Sequence, residues 1–471
     1  MSDRATPRLS QNAPFDRRAL LAAGLGAGLG LGASLTPAVA APKGREQEPF
    51  AASLMVPASA FGLEPNAERD QSDRLQGAID QTSVKGQVLA LPGGRYAVGN
   101  IVLRPGTRIV GAAGATILSY TGMGSLLTAK AAATVRLSGL VLDGMRLSLN
   151  RARTSAVLSL AECTDVLIDD IQVIRAGGHG IVLNRVAGAV RNSSVIGASE
   201  AGIFSTDALG LEITANTVAD CGDNGILLWR SARGNDGTLV SANRIRNITN
   251  RSGGTGQYGN GINIYRAGNV VATGNTISDC TYSAIRANTA DNVQMIGNSA
   301  HSSGEVALYA EFGFEGALIA NNLVDTAATG IAVTNFNEGG RLAVIQGNIV
   351  RNLLRREREP KDKRGEGIGV EADAVVASNV IENAPTAGLV IGWGKYMREV
   401  VATGNLIRKS RIGIAVTGDA AAGACLIANN MISGASDGGI RAMDYAQATG
   451  SDLAGGRGAP RNVTLAGNVV A

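Results

Sequence analysis

Nine residues in the middle of the sequence have the types that act on sugars. Arg286, Glu311, Glu371 and Asp373 are candidate catalytic groups, and Trp229, Tyr265, Tyr309, Asn263 and Asn288 are candidate substrate-binding groups. Rings stack on sugar faces, an arginine pairs with a uronate carboxylate, and carboxylic acids move protons. If Glu371 and Asp373 share one strand they stand about 6.5 Å apart, and Glu311 and Glu371, two strands apart, stand about 9.5 Å apart. Both separations are close to what an inverting glycoside hydrolase needs to admit a water. A lyase or epimerase would instead use Arg286 or Tyr265 as base at the uronate C5 proton, with the acid group neutralised. The residues leave these chemistries open.

A repeat brings the nine together. Asparagines recur at 216, 243, 275, 298, 322, 348, 379, 405, 430 and 468, mostly 23 to 27 residues apart. Between them runs a Gly-Ile type motif, at Gly180, Gly202, Gly225, Gly261, Gly330, Gly367, Gly388, Gly413 and Gly439. Each repeat holds two or three short alternating runs with turn residues between them, and no helical period competes. A fixed period of this length means stacked units whose apolar faces merge into one core. Asparagine at one phase is expected to form an internal ladder, and also tolerates the left-handed conformation of a turn.

Counting outward from each motif glycine, the second, fourth and sixth residues point away from the core. This places Trp229 fourth in GILLWRS, Asn263 and Tyr265 second and fourth in GINIYRA, and Arg286 and Asn288 likewise in AIRANTA. In EVALYAE, aligned at Glu305, Tyr309 and Glu311 are fourth and sixth; in GIGVEAD, Glu371 and Asp373 are. The result is one exposed stripe, centred on Tyr265, Arg286, Tyr309 and Glu311. Three insertions, Asn247 to Gly261, Asn352 to Gly367 and Tyr445 to Pro460, interrupt the repeat. The first two leave from the same edge and should wall the stripe. The competing reading is that an insertion covers it. The charged run Arg355 to Arg364 reads as a solvated loop.

The repeat, with its opening QSDRLQGAIDQTSVKGQVLALPGGRYAVGNIVLRPGTRIVG, resembles the right-handed parallel β-helix proteins of the pectate-lyase-like superfamily. The resemblance covers roughly residues 65–471. It implies an all-β solenoid of about 12 or more coils, with a cap helix near 71–83 that presents Leu75, Ala78 and Ile79 to the first coil. GGHGI at Gly177–Ile181 is similar to the Gly-His-Gly of polygalacturonases. Asp169 and Asp170 lie only nine residues before His179, however, and no Asn-Thr-Asp occurs, so His179 reads as an ordinary turn residue.

Residues 1–40 read as a leader. Arg17-Arg18, an Ala/Leu/Gly run and Ala38-Val39-Ala40 form a twin-arginine signal with a cleavage site, and 41–64 reads as a linker. The combination of leader and repeat also resembles an exported bacterial repeat family with no assigned activity. It implies a periplasmic or secreted protein. Loss of the leader removes a net two of the formal four positive charges, and a near-neutral body argues against a nucleic-acid partner. No later stretch is apolar enough to span a membrane.

Cys163, Cys221, Cys280 and Cys425 form no CxxC, and there are two histidines, so zinc is not expected. Cys221 and Cys280 share a phase with a coil between them, beyond disulfide reach, which predicts free thiols. No cofactor is implied. Calcium (Ca2+) is the metal that clustered carboxylates in such a groove would take, although no DxDxDG loop is present. Two functions fit: binding or modifying an acidic polysaccharide or cell-envelope glycan, as a lyase, hydrolase or epimerase, or serving as a non-catalytic structural or glycan-binding solenoid.

Overall fold

The computed structural model describes residues 54–122, 124–149, 155–356 and 365–471. The expected leader, most of the linker and residues 357–364 of the charged run lie outside the described residues. The chain joins the solenoid earlier than expected. Met55–Pro57, inside the expected linker, pairs in parallel with Val88–Leu91 and opens a sheet of 16 strands. Helix α1 (Ser72–Val84) follows and buries Leu75, Ala78, Ile79, Thr82 and Ser83. Their i, i+3, i+4, i+7 spacing puts them on one face, which closes the first coil.

Each coil then contributes three strands to three parallel ladders. Thr164–Asp169 belongs to the 16-stranded sheet, Gln172–Ile174 to a ladder that follows the recurring asparagines, and His179–Asn184 to the ladder of the Gly-Ile motif. Long strands such as Ser299–Glu311 run through both of the last two ladders. Inside, Leu, Ile, Val and Ala stack on their counterparts one coil away into one continuous core.

Both sequence signatures have a structural cause. The ten asparagines form an unbroken ladder. Asn348 shows the pattern: its Nδ2 donates to Asn379 Oδ1 (2.9 Å) and to Ile319 O (3.0 Å), and its Oδ1 accepts from Asn322 N (2.9 Å) and Asn322 Nδ2 (3.0 Å). The ladder asparagines do not take the left-handed conformation. The preceding residue does, for example Gly274 (φ 63°), Gly347 (φ 66°) and Gly404 (φ 63°), which explains the recurring Gly-Asn pair. The motif glycines stack at another corner. A Cβ on Gly225 or Gly413 would collide with Ile245 or Ile432 and with the carbonyl of the next motif glycine. All four cysteines are free and buried, and Ile248 stands in register between Cys221 and Cys280.

Candidate functional site

The Gly-Ile ladder carries the predicted stripe as two adjacent columns. Trp229, Tyr265, Asn288 and Glu311 stand in register in one, and Asn263, Arg286 and Tyr309 in the other. Glu371 continues the Glu311 column two coils on, since it follows Val370, which pairs with Val333 and so lies over Ala310.

Two expectations need correction. Tyr309 and Glu311 are the second and fourth outward residues, because Ala307 and not Glu305 takes the glycine place. The ladder register shifts between Ser303 and Val306, and no sequence period records that slip. Asp373 is not on this face. The strand ends at Val370, and Asp373 belongs to Ala372–Ala377 of the 16-stranded sheet, with φ 49°. There Arg398 grips it with two bonds of 2.8 and 2.6 Å, and holds its carboxyl below the usual range. Glu371 and Asp373 therefore do not form a pair along one strand.

The centre of the stripe is closed. The first insertion folds back over it rather than standing beside it. Gln257 O accepts from Asn263 Nδ2 (2.9 Å), Tyr282 OH donates to Gly254 O (2.9 Å), and Gly256 lies so close to the Arg286 guanidinium that a Cβ would strike it. Arg286 is 9% exposed, Tyr309 3% and Glu311 2%. Beneath the loop Arg286 makes a two-pronged pair with Glu311 (2.6 and 2.8 Å) and reaches Glu305 Oε2 (3.2 Å). Asn288 Nδ2 adds 2.8 Å to Glu311 Oε1, and the guanidinium lies 5.3 Å from the Tyr309 ring centre. Burial works against the guanidinium charge, but Glu311, Glu305 and Tyr309 together outweigh it and raise the Arg286 pKa. The partners expected on a substrate are found within the protein.

Two clefts remain, one on each side of this loop. The N-terminal cleft, ≈ 430 Å³, is lined by His179, Glu200, Phe204, Asp223, Trp229 and Tyr258 among others. His179 is not a turn residue; it opens a strand and is 8% exposed. Its Nδ1 accepts from Ala201 N (3.1 Å), so the ring proton sits on Nε2 and faces Glu200 Oε2 at 2.8 Å. That hydrogen bond lowers the Glu200 pKa. One coil further, Asp223 accepts from Ser252 N and Oγ, both at 2.8 Å. Rings continue along the coils: His179 to Phe204 5.1 Å, Phe204 to Trp229 6.1 Å, Trp229 to Tyr265 5.3 Å.

Beyond the loop, two cavities of ≈ 290 and ≈ 360 Å³ share Glu366, Val390 and Trp393 and form one trough. Ala332, Gly369, Val390 and Ala415, in register on four coils, make a low floor. Tyr309, Trp393, Tyr396 and Tyr445 rise around it, and Trp393 meets Tyr445 edge to face at 5.3 Å. Glu366 and Glu371 line the trough, and Arg355 and Arg411 stand at its far end. Glu371 Oε2 accepts from Phe336 N at 2.7 Å. Trp393, Tyr396 and Tyr445 come from turns rather than ladder strands, so counting from the glycines passed over them. Their signal was the aromatic content of those turns.

The family model described as "Right handed beta helix region" matches residues 231–407. The N-terminal fragment of bacteriophage Phi29 gene product 12 is similar in structure, with TM-score 0.52 and 15% identity over 84% of this chain and 73% of that one. This chain is a right-handed parallel β-helix. The ORF18 protein of Geobacillus virus E2 aligns with TM-score 0.48 and 14% identity over 59% of this chain, which spans 57% of that one. An exopolygalacturonase from Thermotoga maritima aligns with TM-score 0.43 and 16% identity over 84% and 92% of the two chains. No curated protein matches by sequence. These likenesses are of fold. In this β-helix no group of three or more His, Cys, Asp or Glu gathers to hold a metal among the described residues. No helix among them is long and apolar enough to cross a membrane.

Proposed function

We propose that the protein binds an acidic polysaccharide along the Gly-Ile face, with the aromatic trough as its main site, after export to the periplasm or beyond through its twin-arginine leader. One observation carries the reading: a low floor of Ala332, Gly369, Val390 and Ala415 runs across four coils between Trp393, Tyr396 and Tyr445, with arginines at one end. A glycan chain lies flat on such a floor, its sugar faces meet the rings, and Arg355 and Arg411 suit a carboxylated sugar. The role that sequence reasoning assigns to Arg286 passes to these two. Glycan-array binding and affinity electrophoresis with uronate and neutral oligomers test the proposal. Trp393→Ala should weaken uronate-oligomer binding about tenfold. Gly369→Val should block it without unfolding the protein, because a Cβ there meets nothing within 4 Å. Absence of any glycan binding by the wild type would overturn the reading.

A catalytic version is favoured by the N-terminal cleft. Glu200 and Asp223 sit on adjacent coils, with Asp223 N bonded to Glu200 O at 3.2 Å. Neighbouring coils are about 4.8 Å apart, near the carboxyl spacing of a retaining glycosidase. In this reading Glu200, oriented by His179, is the reacting carboxylate. A reducing-end assay that is positive for the wild type and silent for Glu200→Gln would support it; equal signals would leave binding alone.

A further inference from the structure

Away from both clefts, the corner between the 16-stranded sheet and the asparagine ladder carries an aliphatic stripe. In six consecutive coils the residue after the ladder asparagine is Leu323, Ile349, Val380, Leu406, Met431 and Val469, all in register. These side chains face outward: Ile349 is 46% exposed, Met431 45% and Val469 54%. The preceding coils hold Ser194, Thr217, Arg244, Thr276 and Ser299 on the same rungs. The fold therefore accepts polar residues at this position and does not require the stripe. Across the corner, Leu318, Val344, Val375, Val401 and Leu426 form a second aliphatic column in the same coils. Exposed corner residues such as Asn321, Ser378 and Asn429 lie between the two columns, and exposed apolar surface of this extent marks an interaction site.

Its border points to the partner. Two residues beyond the stripe, Asp325, Arg351, Glu382 and Arg408 stand in register, so charge alternates minus, plus, minus, plus along the axis. Neighbours pair within the chain, Arg351 with Asp325 at 2.8 Å and Arg408 with Glu382 at 3.2 Å. A four-member alternating column is its own complement when reversed. Rotation about a two-fold axis along the strand direction sets Asp325 against the partner's Arg408 and Arg351 against the partner's Glu382. The same rotation lays Ile349 on the partner's Val380 and Leu323 on the partner's Leu406.

We propose that two copies of this chain associate antiparallel through this corner, in an isologous interface with an aliphatic centre and a self-complementary charged edge. The stripe runs about 24 Å along the axis. The rotation is centred between Ile349 and Val380, so four rungs of each column overlap, about 14 Å, while Met431 and Val469 face the partner's Ser299 and the partner's Thr276. Two columns of that overlap cover on the order of 250 Å² per partner, against the roughly 800 Å² of a standard stable interface. The dimer is therefore reversible and depends on the charged edge. This inference is independent of the glycan reading.

Sedimentation velocity of the full chain, from low to high micromolar concentration, tests it. The wild type should pass from monomer to dimer. Ile349→Thr with Val380→Thr should remain monomeric and melt like the wild type, because the fold already uses threonine on these rungs. Arg351→Glu should weaken association at least tenfold, and adding Glu382→Arg should restore it. A wild type that stays monomeric, association that survives both threonines, or no recovery in the charge-swapped double variant would each overturn the proposal.

Discussion

At the scale of single residues, Arg286 has the most to teach. Its residue type and outward register suggest substrate recognition, yet it neutralises Glu311 beneath a loop. Removing one partner of a buried ion pair leaves an uncompensated charge, at a cost of about 3–5 kcal/mol. Arg286→Ala should therefore lower the urea midpoint strongly, and Glu311→Gln, which keeps an acceptor for Asn288, should lower it less. Unfolding of Arg286→Ala at the wild-type midpoint would show that the network is not structural. Glu200 gives the opposite case, a half-exposed carboxylate whose folded pKa is lowered by His179. A lowered pKa adds stability above the unfolded value, and that stability is lost as pH falls through the folded one. Glu200→Gln should remove this acid-side dependence, so the variant is less stable than the wild type near neutrality and converges with it as the pH falls through the acid range. Midpoints measured across the acid range would show it.

At the scale of the strand and its turns, the two recurring signatures have different costs. Asn348→Ala would leave Asn322 N without its acceptor and Ile319 O without the Asn348 donor inside the ladder, while Asn322 Nδ2 would keep only its bond to Met295 O. Each buried unsatisfied group costs about 1–3 kcal/mol. The same change at Asn468, which is only half-buried at the end of the ladder, should cost clearly less. Gly388→Ala would drive a methyl group into Ile407 and toward Gly413 O, an overpacking cost of about 1–3 kcal/mol. Chemical denaturation of the three variants should rank Asn348→Ala worst. Equal effects at Asn348 and Asn468 would mean that the ladder is not a shared buried network. Both signatures were legible because each is local and repeats with every coil. The left-handed residue before each asparagine was assigned one place late, since sequence period alone does not separate the turn residue from the ladder residue.

At the scale of the whole molecule, the stacked coils seal the thiols. Burial pushes Cys221 and Cys425 up to about 12. The native protein should show no reactive thiol at neutral pH, and the unreduced unfolded protein should show four. A lower count after unfolding would reveal a disulfide. Taken by itself, the sequence determined that the chain coils, where most of the coils begin, which residues face outward over most of the Gly-Ile face, and that Cys221 and Cys280 cannot meet. These follow from short-range periodicity, which the chain states again in every repeat. Only the tertiary structure decided which outward residues are open. The path of Asn250–Gly259 over Arg286, the slip between Ser303 and Val306, and the corner that carries Asp373 to another sheet are single events with no periodic trace. The trough needs Trp393 and Tyr445, which come from separate turns and meet because stacked coils bring those turns to one edge.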